Sequence, residues 1–146
     1  MQHDSLTADQ IIALLDLTPH PEGGFYRQTW IDTADGDARP SGTCIYFLLK
    51  QGAASHWHRV DATEIWHHYA GAPLTLSLAP SLRGPRRDHL LGPDLAGGAR
   101  PQIIVPRDHW QAAATTGLWT LVGCTVCPAF RFDGFTLARP DVTIPD

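Results

Sequence analysis

The chain has 146 residues, enough for one domain and too few for two. A composition of 43% hydrophobic and 18% charged residues excludes disordered and fibrous classes. A net charge of −4 argues against nucleic acid as the principal partner, because no basic surplus exists to neutralise phosphates. The eleven basic residues are ten Arg and Lys50, scattered apart from Arg83, Arg86 and Arg87.

From the N-terminus, Thr7 followed by Gln10 spells a capping box, and Ile11, Ile12, Leu14 and Leu15 form an apolar stripe. These residues predict one helix, ending before Pro19 because the residue preceding a proline is pushed out of helical space. Residues 1–18 are therefore expected to be a helical segment packed on a domain spanning 19–146. Everything after the helix reads as β. The runs 24–31, 42–49, 64–71, 73–80, 101–106 and 118–127 are rich in β-branched and aromatic residues, with Gly, Pro and Asp clusters between them. Leu74, Leu76 and Leu78 alternate with Thr75 and Ser77, the pattern of a half-buried strand. Short strands at this spacing, with no second helix, point to an all-β sandwich or barrel. The segments 34–42 and 93–101 read as mobile loops, and the tail 139–146 as peripheral.

No apolar run reaches the ~20 residues of a membrane helix, and the start MQHDSLTADQ lacks the regions of a signal peptide. Three cysteines are an odd count and too few for a disulfide scaffold. A cytoplasmic protein with no membrane partner is the expectation. Cys124 and Cys127 spell C-x-x-C, but within a strand a separation of three sends the thiols to opposite faces. Cys44 reads as a small buried hydrophobe.

The stretch most informative about chemistry is Gly52-x3-His56-x-His58-x5-Glu64-x6-Gly71. Two His one residue apart project to the same face of a regular strand, and a Glu returning on the next strand can complete a facial set. That set suits a divalent transition metal or works as acid–base machinery without one. In 64–71, Glu64, Trp66 and His68 share one face, so Trp66 and His68 are expected to line whatever cavity Glu64 faces. His67 takes the opposite face and reads as structural. His3, His20 and His89 read as surface or turn residues, and Glu22 as a partner for turn amides.

Residues 52–71 resemble the first motif of the cupin superfamily, and Gly98 through Thr115 resemble the second. In the second motif Pro106 keeps its place, Asp108 stands where Gly is usual, and Gln111 stands where a fourth metal-binding His is usual. A closer resemblance is to a cupin branch of unknown function. It is carried by PHPEGGFYR (19–27), CIYFLL (44–49), SHWHRVDATEIWHHYAG (55–71), VPRDHWQAA (105–113) and LVGCTVCPAF (121–130). The resemblance implies a double-stranded β-helix, or jelly roll, and a homodimer that binds a small molecule. Two functional readings follow. One is a metal cupin with one divalent transition metal on His56, His58, Glu64 and Gln111. The other is a metal-free pocket like that of sugar-nucleotide epimerases, with His58 as base, Tyr46 as acid, Arg27 as anion clamp, and Trp66, His68 and Gln111 as ligand contacts. Gln111 in place of His tips the balance toward the metal-free pocket. A non-catalytic binding or sensor module is a third reading.

Overall fold

The structure is a computed structural model and describes residues 5–146, so His3 lies outside the described residues. The expected helix, α1 (Ala8–Leu15), is present with its capping box closed: Thr7 Oγ1 accepts from the Gln10 amide, and Gln10 Oε1 accepts from the Thr7 amide. Asp16 ends it in the left-handed conformation.

Eleven strands follow in chain order: β1 (Thr18–Pro19), β2 (Phe25–Ile31), β3 (Thr43–Lys50), β4 (Ser55–Val60), β5 (Thr63–Gly71), β6 (Leu74–Ala79), β7 (Arg87–Leu91), β8 (Gln102–Val105), β9 (Trp110–Thr115), β10 (Trp119–Cys127) and β11 (Phe135–Leu137). They form two antiparallel sheets, ordered β1-β2-β3-β10-β5-β8 and β11-β4-β9-β6-β7. Among the described residues no helix is long and apolar enough to cross a membrane.

The two sheets close on a core that includes Phe47, Leu49, Trp66, Leu74, Leu76 and Val122. Burying each such side chain contributes about 1.5–3 kcal/mol. Leu74, Leu76 and Leu78 point inward as their alternation requires. On the outer face of the larger sheet, Ile11 and Leu17 bury Leu48. Trp119 Nε1 donates to the Leu6 carbonyl at 3.0 Å and ties the segment before the helix to β10.

Four strands were not legible in the sequence, the first being the two-residue β1. β7 (RDHLL) is an edge strand whose first three residues are exposed, so it shows no apolar alternation. β9 (WQAAAT) has weak intrinsic strand preference but is held between β4 and β6, so pairing on both sides overrides propensity. β11 has only three residues. The tail is less peripheral than its composition suggests, because Ile144 is buried with Trp57 and Trp110 on the outside of the smaller sheet.

Candidate functional site

The site lies at one end of the space between the sheets, and its central residue comes from the turn before β2. In HPEGG, the Gly23 amide donates to the His20 carbonyl at 3.0 Å. Gly23 has φ +107 and runs against the backbone of Ala54, where a side chain would collide. This close approach lets the Glu22 carbonyl accept from the His56 amide at 2.8 Å. It also drives the Glu22 side chain inward. Glu22 is buried, and its Oε2 accepts from Ser55 Oγ, while Oε1 lies 3.3 Å from His20 Nδ1 and 3.4 Å from His58 Nε2. Glu22 thus departs from the expected role at turn amides, while His20, in the turn as expected, is buried rather than on the surface.

Hydrogen-bond partners fix both imidazoles. His20 Nδ1 accepts the Glu22 backbone N–H at 3.1 Å, so its proton sits on Nε2. His58 Nδ1 faces the His56 carbonyl at 2.8 Å, which can only accept, so the His58 Nε2 lone pair is turned toward Glu22. Burial, with the nearby His58, lowers His20 to about 4. Burial likewise lowers His58, against the opposing pull of Glu64. Burial raises Glu22 to about 8, only partly offset by the Ser55 hydroxyl. It also raises Glu64 to about 7, opposed by His58. The close His–Glu contacts therefore join groups that each favour the neutral form.

Glu64, Trp66 and Gln111 form one buried chain: Trp66 Nε1 donates to Gln111 Oε1 at 2.7 Å, and Gln111 Nε2 donates to Glu64 Oε1 at 3.0 Å. Gln111 faces His58 across β4 and β9. The structure thus brings His58, Glu64, Trp66 and Gln111 together. The other expected site residues lie elsewhere. β4 and β9 lose register between Ser55 and His58, and this irregularity breaks the alternation that would have put His56 beside His58. Ser55 and His58 are buried, whereas the His56 ring turns to the Arg139 carbonyl, with Nε2 at 2.8 Å. His68 stays in the regular ladder that carries Glu64 and Trp66, and the irregularity opposite Leu121 and Val122 comes only after it, so His68 lies two residues beyond Trp66 and off the cavity wall. The His68 ring lies instead 3.2 Å from the Gly71 and Ala72 carbonyls. Arg27 donates from Nε to the Leu15 carbonyl at 2.7 Å and lies over the Tyr46 ring. Tyr46 packs on the helix side of the sheet, and Ile45 takes the cavity face. His67 is structural as expected, 3.1 Å from Thr125 Oγ1. Asp108 supports the turn that usually carries Gly, at φ 64.

The metal set implied by the motif does not fit this geometry. His56 is turned away, and the oxygen of Gln111 is taken by Trp66. Among the described residues no group of three or more His, Cys, Asp or Glu side chains is arranged to hold a metal ion.

The cavity has a volume of about 190 Å³. Glu22, Glu64 and His20 supply its titratable wall, and Tyr26, Phe130 and Phe132 its aromatic wall. Tyr26, Ser55 and the phenylalanines after β10 were not singled out from the sequence. Their proximity to the site depends on the chain returning from opposite ends of the fold. The only local signals were the HPEGG turn and a serine adjoining the H-x-H pair.

A two-sheet jelly roll with a cavity between the sheets and an H-x-H…E strand pair defines a cupin. The chain belongs to the branch of the cupin superfamily described as DUF985, whose family model matches residues 9–138. A Shewanella oneidensis protein of known structure is 42% identical, with 92% of this chain and 85% of that chain covered and a TM-score of 0.86. A hypothetical protein from Leishmania major is 29% identical over 91% of this chain and 88% of its own, with a TM-score of 0.83. A dTDP sugar isomerase from Desulfovibrio desulfuricans, 15% identical over 80% of this chain and 85% of that one, shares the fold at a TM-score of 0.60. None of the curated proteins matches the chain.

Proposed function

We propose that this cupin is a small-molecule isomerase-like enzyme that moves protons with paired carboxyl groups rather than with a metal. The supporting observation is the placement of Glu22 and Glu64 on the wall of one small cavity, with the His58 Nε2 lone pair 3.4 Å from Glu22. Carboxyls held near 7 and 8 by burial suit proton transfer at neutral pH. Glu64, as carboxylate, removes a proton from a carbon next to a carbonyl. The C–H electron pair forms a C=C bond, and the carbonyl oxygen takes the proton of Glu22 as the C=O π bond opens. Glu64 then returns its proton to the former carbonyl carbon, which takes it with the C=C electron pair, while a hydroxyl on the first carbon gives its proton to Glu22 and becomes the new C=O. His58, behind the carboxyls, positions Glu22 through its Nε2 lone pair. The base is thereby reassigned from His58 to a carboxylate, and neither Tyr46 nor Arg27 takes part.

Solvent deuterium incorporation into hydroxyacetone and aminoacetone, followed by proton NMR, tests this reading. We expect exchange that is lost in Glu22→Gln and in Glu64→Gln. Exchange that survives both substitutions would refute the roles, and none with either compound would favour the non-catalytic binding module.

We also propose a homodimer in the cytoplasm. β1 covers only Phe25 and Tyr26 of β2, which leaves Arg27–Ile31 as an open edge carrying Trp30 and Ile31, both close to half exposed. Size exclusion with light scattering should give twice the 16.0 kDa chain mass. Trp30→Lys should shift the protein to monomer, and a wild-type monomer at high concentration would refute the pairing. The three cysteines are free, which accords with a reducing compartment.

A further inference from the structure

The wall of the cavity offers acidic groups and no fixed cation, since burial keeps His20 neutral. It includes two buried carboxyls, Glu22 and Glu64, and no Lys or Arg. Arg27, the cation nearest in sequence to the HPEGG turn, is committed to the Leu15 carbonyl on the far side of the sheet. The remaining wall is aromatic. Tyr26, Phe130 and Phe132 line it, and Phe130 meets Phe132 edge to face at 4.9 Å. Phe135 backs both rings, at 5.8 Å and 6.1 Å. Phe132 is 53% exposed, so this aromatic group reaches the surface.

The faces of aromatic rings carry negative potential and attract cations. Buried carboxyls without a counter-charge favour the same ligand, since a bound cation supplies the missing partner. An anion would meet two acidic groups and no donor cation. The volume, about 190 Å³, is roughly that of six liquid waters at ~30 Å³ each, room for a compact ligand and too little for a nucleotide.

We propose that the cavity binds a compact organic cation, an alkylammonium or quaternary ammonium group seated against Tyr26, Phe130 and Phe132 with its charge toward Glu22 and Glu64. The inference rests on the reading that this cavity is the ligand site, and it does not depend on turnover there. It separates this protein from structural neighbours such as oxalate decarboxylase, which at 10% identity over 82% of this chain shares only the fold.

The test is calorimetric titration of the whole protein with choline, with its uncharged isostere 3,3-dimethyl-1-butanol, and with oxalate, at one pH and ionic strength. Choline should bind at least tenfold more tightly than the isostere, equivalent to ~1.4 kcal/mol, and oxalate should not bind. Phe132→Leu, at a half-exposed position, should weaken choline several-fold and the isostere much less. Equal affinity for choline and the isostere, preference for oxalate, or no choline binding at millimolar concentration would each overturn the proposal. Ammonium binding without deuterium exchange would sink only the catalytic reading, and exchange without ammonium binding only this one.

Discussion

Replacing Glu22 with glutamine should stabilise the protein progressively as pH rises. Burial holds the Glu22 carboxyl at about 8 in the folded protein, against an ordinary value of 4.5. Between those two values the folded state keeps a proton that the unfolded chain has released. The wild type therefore loses stability as pH rises through this window, by ~1.4 kcal/mol per pH unit for one group. Glutamine does not titrate. It retains an oxygen to accept from Ser55 Oγ and gains an amide that can donate to the His58 Nε2 lone pair. From about pH 6 to about pH 8 the variant should gain on the order of 2–3 kcal/mol relative to wild type. At this chain length that corresponds to about 5–10 °C in Tm. Glu64, raised to about 7, gives a slope of the same sign in both proteins and largely cancels in the difference. His20, lowered to about 4 from 6.5, acts in the opposite sense: it costs stability as pH falls below 6.5, again in both proteins. Urea titrations followed by circular dichroism at each pH would measure the gap. Parallel stability profiles for the two proteins, or a variant that loses ground as pH rises, would refute an uncompensated buried carboxyl at position 22.

Gln111→Leu should cost about 2–5 kcal/mol in urea unfolding, because it leaves the Trp66 N–H and one Glu64 oxygen unpaired in a dry core at about 1–3 kcal/mol each. Gln111→His should contain no stoichiometric zinc or iron by elemental analysis, since His56 remains turned to the Arg139 carbonyl. Arg27→Ala should reduce stability by about 1 kcal/mol through the lost bond to the helix end, with ligand affinity in the cavity unchanged. After oxidation, mass mapping should find no Cys124–Cys127 link. A thiol reagent should label exposed Cys127 quickly but reach Cys124 only on unfolding, since that thiol is buried and raised well above its ordinary value.

What the sequence determined by itself is the set of features whose physics is local. The capping box of Thr7 and Gln10 and the inward leucines of β6 each depend on a few neighbouring residues. The family resemblance added the jelly roll and the grouping of His58, Glu64, Trp66 and Gln111. Only the tertiary structure decided the chemistry of the site. Alternation along a strand holds while its ladder is regular: the irregularity near His56 turned that imidazole away, whereas His68 kept its register and lies beyond Trp66, off the cavity wall. A charged arginine beside β2 found a helix-end carbonyl rather than a ligand. His20 and Glu22 read as turn residues because nothing near them in sequence shows that Ser55 and His58 will arrive from β4. Desolvation completes the difference: a carboxyl acquires a pKa near neutrality only when strands distant in sequence close over it and exclude water.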